Sequence, residues 1–462
     1  MKSFNFKVKP KFIPEYDEGY RPFILDNMVY EKALKSEDKE PVKISILREN
    51  GLTSLQETSV FKNSHYDDNI VYIERLVKTL LWLKGGYKVF FGGPAYIGEY
   101  LQSIYSKGKE REFDADTMKR IYGQDFEIQI VSLGDVPKEY EEAKAVGGHV
   151  GGCRIGFDAG SSDKKVSSVI NGKSIYSEEV VWHPKLSEDS SYQYEGILSS
   201  LKTAASKLPK VDAIGISAAG IYINNEIKLS SLFIKIPDDE FENKVKRMFF
   251  DIAKEMGNIP FEVANDGDVT ALAGAMSLNQ GNILGIAMGT SEAAGYVDNN
   301  GCLKGWLNEL AFVPIDYNEK AMQDEWSGDI GCGVKYFSQD GVIKLAQKAK
   351  IELEVGLSPA EKLKVVQALL EANDKRAQKI FEDIGCYFGY ALAYYAKFYD
   401  IEYVLLLGRV SSGRGGELIV EKAKEIIKEE FPEFDKKMTI SLPDEKSRRV
   451  GQSVAAASLT KI

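Results

Sequence analysis

Four short segments pair small, hydroxyl-bearing or acidic residues with the ends of apolar runs, which suits them to hold an anion or move a proton. The first is Asp158-Ala159-Gly160-Ser161-Ser162-Asp163-Lys164. Small residues let backbone N–H groups and hydroxyls come close to a phosphate, and an Asp there can hold Mg²⁺ through water. The second is Asn265-Asp266, after the apolar run Phe261–Ala264. A carboxylate at that junction can serve as a general base or as a helix N-cap. The third, Gly289-Thr290-Ser291, repeats the chemistry of the first after Ile283–Met288. The fourth, Gly408-Arg409-Val410-Ser411-Ser412-Gly413-Arg414-Gly415-Gly416, admits a flat ligand, and the helix N-terminus after it favours negative charge. Taken singly, each also reads as an ordinary turn or loop.

The elements that must position these segments follow from hydrophobic period and turn residues. Gly147-Gly148-His149-Val150-Gly151-Gly152 holds four glycines in six residues and reads as a hinge or linker. It sets off a mixed α/β N-terminal part, 1–150. There the strands Val42–Arg48 and Thr53–Phe61 flank an Asn50-Gly51 hairpin turn, and a helix is predicted over Ile70–Lys84. Beyond the hinge, the strands Arg154–Asp158, Lys165–Ile170 and Ser174–Trp182 precede the first helix, Tyr192–Leu208. The strand Ala213–Ser217, a helix Asp238–Met256, the strand Phe261–Ala264 and a helix Val269–Ser277 follow. A second strand pair, Ile283–Met288 and Ala293–Val297, opens the last part, with Tyr403–Leu407 and a helix Glu417–Glu429 later on. Three strands before a helix is not the alternation of a doubly wound fold. The division expected is 1–150, 151–280 and 281–462.

Composition narrows the function. The chain has 462 residues and a net charge of -10. An acidic chain repels phosphate backbones, which disfavours nucleic acid as a partner. No apolar run reaches the ~18–20 residues of a membrane span. The four cysteines and three histidines, far apart in sequence, offer no zinc site, and so few cysteines fit a reducing, cytoplasmic setting.

In this order and on these elements, the four segments resemble the phosphate-one, phosphate-two and adenosine motifs of the actin, hexokinase and heat-shock ATPase superfamily. Within it the chain is similar to the ROK group of sugar kinases and repressors over about 155–460. Asn265-Asp266-Gly267-Asp268-Val269-Thr270-Ala271-Leu272 looks like that group's N-D-A-N-A-A-A-L element, and Gly289-Thr290-Ser291 like its G-T-G. The resemblance implies a two-lobed, actin-like (ribonuclease H-like) α/β fold behind an additional N-terminal domain, with lobes at 151–280 and 281–462. It implies ATP and Mg²⁺ as cofactors, gripped by Asp158, Gly160, Ser161, Ser162, Lys164, Gly289, Thr290 and Ser291, with Asp158 at the metal. Gly408, Ser411, Ser412 and Gly413 would hold adenosine. Asp266 would be the general base toward a small-molecule sugar held by Ser217, Asn265, Asn308 and Glu309, and a homodimer is allowed.

The chain also departs from the group's pattern. The zinc-binding cysteines are absent, Phe312 stands where a histidine follows the glutamate, Gly274 replaces a glutamate, and Ser161 replaces a second glycine. The expected activity is ATP-dependent phosphorylation of a sugar. A non-catalytic sensor keeping the fold, or an ATPase or kinase of a non-sugar acceptor, are the alternatives.

Overall fold

The computed structural model describes residues 3–142, 146–160, 162–443 and 445–462, with backbone only for 445–450. By packing, the chain divides into two compact units, neither continuous in sequence. One comprises Met1–Glu142, Ile286–Ala293 and Trp306–Leu442; the other comprises Ala143–Gly285, Ala294–Gly305 and Pro443–Ile462. The N-terminal part is therefore compact with most of the last third of the chain.

In the first unit, β1 (Lys39–Leu47) and β2 (Thr53–Phe61) form a hairpin. Asn50 and Gly51 turn it in the left-handed region, at φ 57° and 75°, the conformation Asn-Gly favours. With β3 (Lys88–Gly92) and β4 (Glu127–Val131) they make a sheet ordered β2-β1-β3-β4. The helix Tyr66–Lys84 is buried along nearly its whole length. Two helices escape the periodic reading, Phe23–Leu34 and Glu112–Tyr122. The first buries Asp26 and Asn27 together with its apolar residues, so it shows no single stripe.

In the second unit, β5 (Cys153–Ala159), β6 (Asp163–Ile170), β7 (Lys173–Val181) and β8 (Ala213–Ala218) join β11 (Phe261–Asn265) in the order β11-β8-β5-β6-β7. Between β8 and β11 lies a small hairpin of β9 (Ile221–Ile223) and β10 (Glu226–Leu229). β5, β8 and β11 run parallel, while β6 and β7 meander antiparallel. Ile155, Phe157, Ile197, Leu201, Ile214 and Ile216 are at most 2% exposed in its core. Burying each such side chain is worth about 1.5–3 kcal/mol. The helix Glu445–Ala457 lies directly on β5 and β8. A Cβ on Gly156 or Gly215 would stand 1.8 Å from Ser453 O or 1.7 Å from Ala456 O, so only glycine permits this approach.

Two expectations are corrected here. Gly147–Gly152 is not a free linker. Gly147 and His149 donate their backbone N–H groups to Leu459 O and Ser458 O, and Gly152 donates to Asn171 Oδ1. The helix expected over Asp238–Met256 is broken into Asp238–Glu240, a π turn Phe241–Val245 and Met248–Glu255. The break frees Lys246 O to accept from Ile227 N of β10, a bond a regular helix would forbid.

The last sheet runs β13-β12-β14-β15, from β12 (Ile283–Met288), β13 (Glu292–Val297), β14 (Tyr403–Leu407) and β15 (Thr439–Ser441). The tip of its first hairpin, Ile286–Ala293, packs in the first unit. The helix expected to begin at Glu417 begins at Gly413. Gly415 and Gly416 serve close packing inside that helix, since a Cβ would meet the Phe381 ring at 2.7 Å or Ser411 O at 2.0 Å.

Candidate functional site

Parallel strands deliver their carboxyl ends to one edge of a sheet, where ligands of α/β folds bind. On the second unit's sheet, Asp158 pairs in register with Ser217, and Ala218 with Asn265. Asp158, Ser217, Asn265 and Asp266 therefore share one edge. Ser217 Oγ donates to Asp158 Oδ1 at 2.8 Å, and Gln452 Nε2 reaches Ser217 Oγ at 3.5 Å. Asp158 is 7% exposed. Burial pushes its carboxyl up to about 6; Asp266 adds to the shift, while the Ser217 hydrogen bond and Lys165 oppose it.

At Asn265-Asp266 the cap falls to Asn265 and not to Asp266. Asn265 is the N-cap: its Oδ1 accepts from Gly267 N at 2.7 Å, and its Nδ2 donates to Gly220 O at 2.7 Å. Asp266 is the first residue of the helix Asp266–Leu278, with Oδ1 3.0 Å from Gly267 N. Its carboxyl is raised by burial, against the Gly267 amide, its own amide and the charge of Lys185.

Gly160 and Ser162 lie in the turn after β5, and Ser161 between them lies outside the described residues. Gly160 O accepts from Trp182 Nε1 at 2.8 Å, and Ser162 Oγ donates to Asp163 Oδ2 at 3.0 Å. Lys164 is not directed at this turn. Its ammonium donates to Gly196 O and lies 5.5 Å from the Trp182 ring. Strand alternation is the reason: Lys165, the register partner of Asp158, is the neighbour whose charge acts on it. Lys165 and Lys185 are thus the cations that sequence reasoning missed, and spacing to the β5 register would have found the first.

A buried carboxylate that burial disfavours trades stability for function. Asp158→Asn keeps the Ser217 hydrogen bond and removes the charge. With the folded pKa near 6 and the ordinary value 3.8, the wild type loses stability as pH rises between them. The variant is expected to be more stable by about 1–3 kcal/mol at pH 8, with the difference gone near pH 4, as read by urea unfolding without ligand.

In the first unit, Gly289-Thr290-Ser291 and the segment Gly408–Gly413 come together at the end of β12. Gly289 N donates to Ser291 O, and Gly289 O accepts from Gln339 N at the start of the helix Gln339–Lys348. Val410 N donates to Met288 O at 3.0 Å. Gly408 has φ 96°, and a Cβ there would stand 2.2 Å from Met288 O. Gly408→Ala combines a left-handed backbone with a backbone clash. It is expected to cost about 2–4 kcal/mol in chemical unfolding. Ser411 is fully buried with its hydroxyl on Gly408 O, and Ser412 Oγ donates to Arg409 O at 2.8 Å and accepts from Gln367. Gly413, at φ 61°, opens the helix Gly413–Glu430.

The remaining two expected residues differ in availability. Asn308, 3% exposed and at φ 54°, accepts from Tyr399 OH at 3.0 Å, so its carboxamide serves the fold. Glu309 is part-exposed, and its backbone N–H is fixed on Trp82 O at 3.0 Å. Phe312 stacks 4.2 Å from Trp82 and 5.5 Å from Phe113. A charged residue directly after Gly289-Thr290-Ser291 was a signal left unused: Glu292 is 3% exposed, and burial, with the charge of Glu309 adding to it, pushes its carboxyl up.

The β-meander sheet and the glycine-lined loops define an α/β protein with an actin-like fold. Residues 154–457 match the ROK family, and the chain belongs to it. Among solved structures, a ROK family glucokinase from Streptomyces griseus, in complex with glucose and AMPPNP, is similar at 18% identity and TM-score 0.50. The match covers 67% of this chain and 99% of that one. A ROK hexokinase from Thermus thermophilus is similar at 15% identity and TM-score 0.52, over 67% and 98%. A ROK family transcriptional regulator, a homologue of the E. coli MLC protein, is similar at 17% and 0.52, over 67% and 79%. No curated protein matches the chain. Among the described residues, no helix is long and apolar enough to cross a membrane, and no group of three or more His, Cys, Asp or Glu is placed to hold a metal.

Proposed function

We propose that this chain transfers the γ-phosphoryl group of ATP to a hydroxyl of a hexose or amino sugar, with Asp266 as general base. The observation that carries the reading is the carboxylate of Asp266, at a helix N-terminus, raised by burial and acting electrostatically on buried Asp158. A base must be unprotonated at working pH yet basic enough to take a hydroxyl proton, and a raised carboxylate meets both demands. Gly160, Ser161, Ser162, Gly289, Thr290 and Ser291 are assigned to the phosphates. Gly408, Ser411, Ser412 and Gly413 are assigned to adenosine, where the glycines keep the backbone open to a flat base. Lys164 is withdrawn from the phosphate set, because Gly196 O already holds its ammonium.

Asp158 fits a water-mediated Mg²⁺ site: its buried carboxylate accepts from the Ser217 hydroxyl, and the charge of Lys165 does not offset the upward push of burial. The metal, when bound, neutralises charge on the phosphates. Ser217 orients Asp158, Asn265 fixes the helix start that aims Asp266, and Glu309 is assigned to the acceptor.

A second reading keeps ATP and drops the chemistry, as a ligand sensor. The commitment of Asn308 to Tyr399 and of Phe312 to Trp82 favours it, since both stand on the acceptor side of the family pattern. Calorimetric titration with Mg-AMPPNP, with and without a hexose panel, separates the two. The kinase reading expects nucleotide binding that one hexose strengthens. Binding that no sugar alters favours the sensor, and no nucleotide binding rejects both.

A further inference from the structure

We infer that the N-terminal part of the chain positions the acceptor side of the site: the C-terminus of the helix Tyr66–Lys84 holds the segment Trp306–Phe312, with Trp82 as the positioning residue. The functional half of this inference rests on the proposed kinase reading, in which Trp306–Leu310 belongs to the acceptor side. The segment lies in a stretch with little structure of its own. From Trp306 to Ser338 its only regular pieces, among the described residues, are the three-residue turns Leu310–Phe312 and Gly333–Lys335. Loops beyond about 12–15 residues without secondary structure are uncommon and are usually kept for function. Their backbone polar groups need partners from elsewhere.

Within the first unit, residues 1–142 supply those partners. A helix leaves its last carbonyls without partners of its own. Here Trp82 O accepts from Glu309 N and Leu83 O from Asn308 N, both at 3.0 Å. Asn308, at φ 54°, adopts the left-handed conformation that asparagine tolerates, and the two successive N–H groups meet the same helix end. The side chain of Trp82 closes the contact. It is 1% exposed, and its ring lies 4.2 Å from that of Phe312. Its Nε1 donates to Asp114 Oδ1 at 2.5 Å, which fixes the ring. Lys84 Nζ lies 2.9 Å from the centroid of the Trp306 ring, a cation over an aromatic face. The stretch beyond is held in the same way. Phe23 N donates to Ile315 O at 3.1 Å, Arg21 N donates to Asp316 Oδ1 at 2.9 Å, and Tyr317 stacks 3.7 Å from Phe23. Further on, Asp329 is held by Arg75, Lys78 and Arg111. None of these supporting residues lies in the part that matches the ROK family, 154–457. A stretch that cannot shape itself is thus shaped by a helix from outside the family's own portion of the chain.

Hydrogen exchange of the full chain tests the positioning without reference to activity. In the wild type the Asn308 and Glu309 amides are expected to exchange as slowly as those inside the helix Tyr66–Lys84. Exchange at the rate of an unstructured chain overturns the inference. Trp82→Leu removes the ring against Phe312 and the Nε1 donor, whereas Trp82→Phe keeps a ring there. Trp82→Leu is expected to speed the Asn308 and Glu309 amides by about tenfold or more, with β14 at its wild-type rate and Trp82→Phe close to the wild type. Equal acceleration in β14, or none at either amide, makes Trp82 a packing residue and overturns the positioning role. Should Trp82→Leu not fold, the wild-type amides decide. The kinetic arm reads the acceptor. KM for the sugar is expected to rise about tenfold or more in Trp82→Leu, since a small displacement far from the chemistry is costly. KM for Mg-ATP is expected to stay level, and Trp82→Phe to restore the wild-type value. KM values that rise together, or a fall in kcat alone, overturn the acceptor role. If the wild type turns over no sugar, the kinase reading fails, while the exchange rates still decide the positioning.

Discussion

Asp266→Asn is expected to lower kcat for sugar phosphorylation by about 10²–10⁴, the contribution of a positioned general base, while Mg-ATP binding is kept. The substitution is nearly isosteric. Its carbonyl oxygen still accepts from Gly267 N, which now meets Asp266 Oδ1 at 3.0 Å, and the Asn265 cap is untouched. What disappears is the lone pair that takes the hydroxyl proton, together with one of the charges that raise Asp158. Because burial raises the Asp266 carboxyl, the wild-type rate is expected to show an acid limb displaced upward from the ordinary aspartate value. The rate falls as pH drops through the raised pKa, since only the ionised form accepts a proton. Steady-state kinetics across pH, beside nucleotide titration of the variant, check both parts. A variant that loses nucleotide affinity and turnover together would point to a binding role for Asp266 instead.

Asp329→Ala is expected to destabilise the first unit by about 3–5 kcal/mol, the cost of stranding buried charge. Asp329 sits among three cations: Arg75 Nη1 at 2.7 Å, Lys78 Nζ at 3.1 Å and Arg111 Nη1 at 3.0 Å. Glu74 pairs with Arg75 and Arg111, and Asp114 with Lys78. All six residues are at most 6% exposed. Burial alone would push the Asp329 carboxyl up, but the three cations outweigh it and hold it well below the usual range. Three positive and three negative charges balance, and removing Asp329 leaves three against two in a region that water does not reach. Measured against a typical total of about 5–15 kcal/mol, the loss is large enough to appear as a lower urea midpoint and an increase in protease cutting. Asp329→Asn is expected to fall between the two. An unchanged midpoint would mean that the network relaxes into water.

This network also accounts for what the sequence left unsaid about the first 142 residues. Nothing in the sequence pairs Arg75, Lys78 and Arg111 with Asp329. Only the tertiary fold shows that they neutralise one another inside a unit assembled from distant stretches of chain. The meander β5–β7, the β12–β13 hairpin and the meeting of β5, β8 and β11 were legible because alternation and turn residues act locally. So was the shared edge at Asp158, Ser217 and Asp266, since parallel strands must bring their carboxyl ends to one edge. Lys164 was misplaced by one register step, which strand alternation turns into the opposite face of the sheet. The pairing of Asn308 with Tyr399 was not legible, because the two are distant in sequence. Glu292 passed unnoticed because its burial against Gly333 arises only in the folded unit.

Phosphoryl transfer from ATP to a sugar is the activity proposed for this member of the ROK family. Its most direct test is a ³¹P NMR time course of the purified chain with Mg-ATP and each hexose or amino sugar of a panel. The predicted result is a sugar phosphate appearing in step with ADP for at least one sugar, and not with Asp266→Asn. ADP and inorganic phosphate without a sugar phosphate, or no change in ATP with any sugar, would contradict it.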